Sequence, residues 1–496
     1  MASIIAAEGP TIRISGAGSS PDLLSVAADA DVRAVEVGST GVPALEPLVT
    51  VTDGDETAFH TACSTAEMDT IVASVAAGSD VRAAEPDAVA EHDPDTARFP
   101  AVDLSGLGGD RRRMLGGAGW RRPTNPADHE AAGGFGDPGP DAVLAAGEAI
   151  HGRGWGDICQ DTPLTPTWET VRDTGGDPAV VVNGHGNPAD ALLLASAPYD
   201  VLDGATAVAD CVGAEAVIVY ASTADERAVE TVREAAAEHP EGSPAIDVVA
   251  GPAEYRAAEP TMALEAVEGN HRLEARIRPP GPESVGLHGQ PTVLHTPRTL
   301  AQLSASLRDG DADATRAVTV QGDVAAPVTV ELAASATLAD AVDAVAVDGE
   351  FKAACVGGRF GGLTRDLDVS IAPEPLTDAD LGTEGTVQIL AADRCVLEFV
   401  GKRAQFAADE NCGRCVPCRE GTTQLAELLR DIYDGSYAPE DIEELVRVMD
   451  TSSICAFGVE AGRPARTALA EFEAELQAHA DGTCPTDSCP ETVEVT

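Results

Sequence analysis

Cys412-Gly-Arg-Cys415-Val-Pro-Cys418 is the feature that most restricts what this chain can fold into, because it concentrates three thiols in one turn at the start of a helical stretch. A fourth, Cys455, follows after two further helical segments. Three thiolates from one turn and one from a neighbouring loop suit the corners of a [4Fe–4S] cubane. Gly413 permits the tight turn, and Pro417 helps to fix it. A structural zinc ion also accepts four thiolates, although zinc sites more usually show two separated C-x2-C pairs. Zinc therefore stays open as a second reading, and unliganded buried cysteines as a third. Arg414, Arg419 and Lys402 would offset a cluster's negative charge and raise its potential, or are simply solvated cations.

Charge narrows the partners. The 496 residues include 83 Asp and Glu against 32 Lys and Arg, a formal charge of −51. Such a chain cannot neutralise phosphates, which excludes nucleic acid as a partner and disfavours an anionic membrane surface. Only Lys352 and Lys402 are lysines, and the acids are spread along the whole chain. We read this as adaptation to a high-salt cytosol, where self-repulsion is screened. No apolar run is long enough to span a bilayer and no basic-then-apolar leader opens the chain, so a cytoplasmic location without membrane insertion is expected. Eleven cysteines, four of them closely organised, favour reduced thiols and a metal centre over a disulfide framework.

Periodicity divides the chain. Residues 1–85 read as a small α/β unit with an extended stretch near Val32–Val37, a turn at Asp53-Gly54 and a helix at Ala66–Ala76. Residues 86–140 are rich in Asp, Pro, Gly and Ala, with basic clusters at Arg111–Arg113 and Arg121-Arg122, and read as a linker or mobile insertion. Strands at Ala179–Val182, Ala216–Tyr220 and Ile246–Val249 alternate with helical stretches at Ala189–Val212 and, behind a capping box of Thr223 and Glu226, to Glu238. That alternation predicts a parallel, Rossmann-like α/β sheet in three layers over residues 141–313. Residues 314–380 read as a small β-rich module, 381–480 as a helical bundle, and 481–496, with Cys484 and Cys489, as a disordered tail. Cys63, Cys159, Cys211, Cys355 and Cys395 read as packing or surface thiols.

Glu410-Asn-Cys-Gly-Arg-Cys-Val-Pro-Cys-Arg-Glu-Gly421, followed by Ser453-Ile-Cys455-Ala-Phe-Gly458, resembles the cluster motif of the NADH-oxidising flavoprotein subunit of respiratory complex I and its hydrogenase and formate-dehydrogenase relatives. Glu265-Ala-Val-Glu-Gly269, Arg276-Ile-Arg-Pro-Pro280 and Gly286-Leu-His-Gly-Gln-Pro-Thr-Val293 are similar to that family's core in the same order, so the resemblance covers about residues 145–480. It implies a flavin-binding α/β domain, a β-grasp-like module and a bundle carrying the cluster on Cys412, Cys415, Cys418 and Cys455. Some relatives add a thioredoxin-like unit in which two cysteines after a strand help hold a [2Fe–2S] centre. The similar stretch Val37-Gly38-Ser39-Thr40-Gly41-Val42-Pro43 has none, so residues 1–85 are expected to be a degenerate unit without a cluster.

The resemblance also implies FMN and NAD sites. His151-Gly152-Arg153-Gly154-Trp155-Gly156 is similar to the first half of the family's phosphate-facing loop, where clustered glycines let the backbone approach an anion. Its second half keeps Trp168 but has no lysine. In Asn183-Gly-His185-Gly186-Asn187-Pro188 the residues Asn183, Gly186 and Pro188 match, and the family's acids are absent. Tyr255 and Glu259 match a Tyr and one of a Glu pair, whereas Pro260, His295, Thr296 and Arg298 replace an acid, two asparagines and an acid. The cofactor-binding candidates are therefore Gly152, Arg153, Gly154, Asn183, Gly186 and Glu259, with Trp155 placed to stack on a ring. His185 and His295 are candidate donors, though a lone histidine is more often a solvated surface residue. No catalytic acid, base or nucleophile stands out. The implied activity is that of an NADH dehydrogenase subunit, passing electrons from NADH through FMN to the cluster and on to partner electron-transfer subunits. Such a subunit can sit peripherally on a membrane-bound complex. The alternative is a non-catalytic relay or scaffold that keeps the cluster and has lost flavin and NADH.

Overall fold

Three sheets succeed one another along the chain in the computed structural model, which describes residues 2–489 apart from 6–8, 17–19, 31, 109–111, 241–243 and 311–314. The first comprises β1 (Thr11–Ser15), β2 (Ala34–Val37), β3 (Leu48–Asp53), β4 (Glu56–His60) and β5 (Ala88–Glu91), ordered β2-β1-β3-β4-β5. β1 and β2 run parallel and the remaining pairs antiparallel, with β3 and β4 joined at Gly54, whose φ is +61°. Ile12, Ile14, Val49 and Val51 alternate onto one face, where Leu23, Met68 and Ile71 pack. The helix Thr65–Ala76 opens with a complete capping box of Ser64 and Glu67. Because β5 belongs to this sheet, the unit continues past residue 85.

The stretch expected to be a linker is instead packed. Phe99, Val102, Leu107 and Trp120 enter one core with Val42, Phe59 and Val318, while Met114 and Leu115 enter another with Val180 and Leu193. Arg112, Arg113 and Arg121 are buried, and Arg111 lies outside the described residues. Arg13 donates to the Trp120 carbonyl at 3.0 Å and its guanidinium lies 3.8 Å over the Trp120 ring. Gly and Pro here prevent regular structure, not burial.

The second sheet, β6 (Ala179–Asn183), β7 (Ala216–Ser222), β8 (Ala245–Gly251) and β9 (Thr292–His295), is parallel throughout in the order β8-β7-β6-β9. Val180, Val182, Val217 and Val219 face helices on one side, and Val181, Ile218 and Leu294 face Ala263 and Leu264 on the other, which makes three layers. The expected helix Ala189–Val212 is two, Pro188–Ser196 and Pro198–Val212, because Pro198 has no N–H to continue the ladder. The Thr223–Glu226 capping box does not form. The helix starts after Asp225 without a side-chain cap, and Ser222 Oγ takes the Ala224 N–H at 3.1 Å.

The third sheet holds β10 (Thr315–Gly322), β11 (Val328–Ala333), β12 (Phe351–Val356), β13 (Gly362–Thr364) and β14 (Thr386–Ala391) in the order β11-β10-β14-β12-β13. Its central pair β10 and β14 is parallel and the flanking pairs are antiparallel, a β-grasp arrangement that runs past residue 380. Val318, Val330, Ala354 and Ile389 face the N-terminal unit and the packed strap, whereas Ala353, Cys355, Leu363 and Leu390 face the helical bundle. That bundle comprises Val396–Glu410, Val416–Asp431, Pro439–Ser452, Ala456–Glu460 and Arg463–Ala480, joined through Leu425, Leu429, Ile442, Val446 and Leu476. Among the described residues no helix is long and apolar enough to cross a membrane. The expected disorder from residue 481 is corrected as far as Cys489, since Cys484 and Cys489 pack on the bundle; residues 490–496 lie outside the described residues.

A buried ion network joins the strap to the parallel sheet's helices. Asp200 pairs with Arg121 and, at 2.7 Å, with Arg308. Burial alone would push its carboxyl up, but Arg121, Arg308 and His129 outweigh burial and hold it well below the usual range. A lowered folded value means a contribution complete above the unfolded value of about 3.9 and lost as pH falls below it. Asp200→Asn is expected to lower stability by about 3–5 kcal/mol at neutral pH, by leaving buried guanidinium groups unpaired. In unfolding scans in molar KCl the gap from wild type should narrow below about pH 4. A gap of under ~1 kcal/mol at neutral pH would contradict this role.

Candidate metal and cofactor site

The four motif cysteines converge where the bundle meets the parallel sheet. Asn411 ends the helix Val396–Glu410, and its amide donates to the Ala408 carbonyl at 2.7 Å while its oxygen accepts the Gly413 N–H at 3.0 Å. Gly413 turns the chain at φ +76°, where L residues are strained. Cys415 is then the N-cap of Val416–Asp431, with Cys418 in its first turn, and Arg419 closes the turn by donating to the Gly413 carbonyl at 2.9 Å. Cys455 caps the short helix Ala456–Glu460. Gly458 brings it close, since a Cβ there would lie 2.8 Å from the Cys418 Cβ.

Cys418 is buried and the other three are half-buried, against Ala407, Met449, Phe457 and Ile454. Burial pushes the Cys418 thiol up. The Cys455 thiol is pushed to about 12, by burial first and then by the Glu259 charge. Ionising such thiols requires a cation in their midst. The donor set, three thiols presented by one turn and a fourth from the loop at Cys455, fits a [4Fe–4S] cluster better than a single zinc ion, which more usually takes two separated C-x2-C pairs. Of the nearby cations, Lys402 pairs with Glu398 and Arg414 approaches Glu274 at 3.7 Å.

The glycine loop lies next to this centre. Arg153 N–H donates to Thr299 Oγ1 at 2.9 Å, and Thr296 Oγ1 donates to the Arg153 carbonyl at 2.9 Å, tying the loop to the start of helix Pro297–Asp309. Asp157 accepts from the Cys159 and Thr296 N–H groups, from Thr299 Oγ1, and from His295 Nδ1 at 3.0 Å. Trp168 donates to His295 Nε2 at 2.8 Å, so the ring proton sits on Nδ1. Asn183 donates to the carbonyls of Gly156 at 2.9 Å and Ala258 at 2.8 Å. Glu259 caps the helix Pro260–Val267 through the Thr261 and Met262 N–H groups and pairs with Arg278 at 2.6 Å. Both histidines expected at the surface are buried: His295 in this network, and His185 stacked on Tyr220 and bonded to the Pro252 carbonyl.

In front of the loop lies a cleft of about 180 Å³. Trp155, Gly186, Asn187, Arg359, Glu384 and Arg403 are among the residues lining it. Gly186, at φ +89°, and Gly358, at φ +76°, keep it open, and Trp155 stacks on Tyr255 at 4.8 Å. Arg403 Nε is buried with no hydrogen-bond partner, and so is Arg153 Nε behind the loop. The aromatic wall, the bare glycines and the orphaned guanidinium atoms fit a planar ligand carrying negative charge.

Of the six cofactor candidates, Gly186 lines the cleft, Gly152, Arg153 and Gly154 form the loop beside it, and Asn183 and Glu259 brace it from behind. Arg359, Arg403 and Glu384 were invisible to sequence reasoning, because they come from the β-grasp module and the bundle. Glu384 is buried and its carboxylate accepts the Trp155 N–H at 2.7 Å and the Asn187 amide at 3.0 Å. Burial pushes its pKa up, against the pull of Arg298, which is itself paired in two-pronged fashion with Asp190.

Residues 153–305 match the Nuo51 FMN-binding domain, and residues 398–479 match the NADH-ubiquinone oxidoreductase-F iron-sulfur binding region. The NADH-quinone oxidoreductase F subunit of Streptomyces coelicolor is 30% identical over 394 residues, covering 71% of this chain and 86% of the relative. The corresponding F 2 subunit of Rhizobium meliloti is 27% identical, over 71% and 93%. A chain of the NAD+-reducing [NiFe]-hydrogenase, solved in the H2-reduced state, has the same fold with a TM-score of 0.64 at 22% identity, over 95% of this chain and 85% of that one. With its loop, cleft and four-cysteine centre in the family's order, the chain belongs to the family of NADH-quinone oxidoreductase F subunits.

Proposed function

We propose that this chain is an NADH-oxidising, electron-input subunit that passes electrons from NADH by way of FMN to a [4Fe–4S] cluster and on to partner electron-transfer subunits. FMN, when bound, supplies the conversion between two-electron and one-electron chemistry. In this reading Gly152, Arg153, Gly154 and Gly186 hold the flavin directly, with Trp155, Arg359 and Arg403 around it, and Asn183 and Glu259 fix the loop's position. Cys412, Cys415, Cys418 and Cys455 hold the cluster.

One observation carries the reading: cleft and cysteines share a single packed cluster. Trp155, Tyr255, Phe360, Phe406 and Phe457 form it together with Cys415, Cys418 and Cys455. Tyr255 stands 6.2 Å from Phe457 and 5.6 Å from Phe360, ring to ring, and Phe360 stands 4.9 Å from Phe457. These rings exclude water between the two centres and leave no solvent-filled gap for electrons to cross. The relay or scaffold alternative is favoured by the replaced pocket residues Pro260, His295, Thr296 and Arg298, and by Glu384, whose carboxylate already takes the loop's Trp155 N–H.

Anaerobic purification in high salt is expected to yield iron at four per chain and one FMN. Cys412→Ser or Cys455→Ser should lose the cluster's visible absorbance and keep the flavin. Iron without flavin would establish the relay, and zinc at the motif cysteines would overturn both.

We also propose a high-salt cytosol as the working environment, with the chain held peripherally in a larger complex. The net charge of −51 and the near absence of lysine support this. Screening shortens from about 10 Å at 0.1 M salt to about 3 Å at 1 M, so repulsion among surface acids should fall steeply. The melting temperature is expected to rise continuously from 0.1 to 3 M KCl. A flat or falling profile would contradict the proposal.

A further inference from the structure

A second set of metal-type donors lies at the far end of the bundle, three of them, Cys395, Cys484 and Cys489, outside both family matches and the fourth, His479, at the last matched residue. Cys395 Sγ, His479 Nε2, Cys484 Sγ and Cys489 Sγ all lie within 4.8 Å of one another. Cys395 Sγ is 3.2 Å from His479 Nε2 and 3.3 Å from Cys489 Sγ, and Cys489 Sγ is 3.4 Å from His479 Nε2. Around a zinc ion with Zn–S near 2.3 Å and Zn–N near 2.0–2.1 Å, tetrahedral edges are about 3.6–3.8 Å. The four donors thus need to open only slightly to admit the ion.

Their settings agree with that role. Cys395 is the N-cap of Val396–Glu410, and its sulfur accepts the Glu398 N–H at 3.3 Å. His479 Nδ1 contacts the Glu475 carbonyl at 2.7 Å. A carbonyl only accepts, so the ring proton sits on Nδ1 and the Nε2 lone pair faces the sulfurs, the tautomer and orientation that metal-binding histidines show. Cys484 and Cys489 come from one turn, Cys484-Pro-Thr-Asp-Ser-Cys489, closed by the Asp487 N–H on the Cys484 carbonyl at 3.2 Å. A C-x4-C turn is an ordinary zinc-ligand spacing. Tyr433 Oη lies 3.6 Å from Cys489 Sγ and Thr486 Oγ1 lies 3.3 Å from Cys484 Sγ, each able to donate to a thiolate.

We propose that Cys395, His479, Cys484 and Cys489 bind a zinc ion in a closed tetrahedral Cys3His site, separate from the four motif cysteines, which staples the C-terminal segment to the bundle. Three thiols release their protons on binding, and with four protein ligands the ion keeps no open position, so it is structural. A site formed by residues from both ends of the bundle stabilises it as a unit, because the ion binds only the assembled state.

The test is metal analysis of the full chain, purified anaerobically without added metal. One zinc per chain is expected, whatever the iron content. Cys484→Ser and Cys489→Ser should each reduce bound zinc at least tenfold while iron and the cluster absorbance stay unchanged, and Cys412→Ser should do the reverse. If those variants do not fold, wild-type protein grown with cobalt should show the visible bands and thiolate charge-transfer absorption of tetrahedral Co(II) with sulfur ligands. Wild-type protein without zinc, with these cysteines open to alkylation or joined in a disulfide, would overturn the proposal. So would zinc that survives both tail substitutions.

Discussion

Four thiols gathered against apolar side chains, with burial opposing ionisation at Cys418 and Cys455, are the constraint around which the C-terminal half is arranged. Cys418 lies among Met449, Phe457 and Ala407, and thiolates there need a cation to compensate for lost water. Gly413 makes the turn that presents two sulfurs, and Gly458 lets the Cys455 loop close onto Cys418. A side chain at either glycine would strain the backbone or push the loops apart. The same packing brings Phe457 against Phe360 and Tyr255, so the requirement to bury the cluster also builds the wall of the cleft.

The loop at Gly152–Gly156 depends on a second buried network. Asp157 gathers donors from the strand and helix that follow it, and Asn183 pins the loop to the segment before helix Pro260–Val267. Three guanidinium groups, Arg153, Arg298 and Arg316, collect behind it, which favours an anion near the loop. In the chain alone the carboxylates of Glu384, Asp190 and Asp161 lie against these guanidinium groups.

The motif cysteines were legible because three ligands are local in sequence and their spacing reports a turn. The parallel strands were legible because both faces are buried, leaving short apolar runs such as Val180–Val182. The strap around Trp120 was misread since Gly and Pro composition reports irregular backbone and is silent about burial. The Thr223 box failed because Ser222 and Asp225 offered a competing turn. Cys395 reads from sequence as a packing or surface thiol and His479 carries no motif, and only tertiary packing shows that they meet Cys484 and Cys489. Arg403 and Glu384 were hidden for the same reason: the cleft is built from three separate parts of the chain.

Adding NADH anaerobically to the purified chain shows whether the cleft and the cysteine centre form one electron path. Flavin absorbance and the electron paramagnetic resonance of the cluster would be followed in one sample. Bleaching of the flavin together with the appearance of a reduced-cluster signal is the predicted result. A bleached flavin beside a cluster that stays oxidised, although dithionite reduces it, would contradict the path. So would a chain in which NADH leaves both centres unchanged.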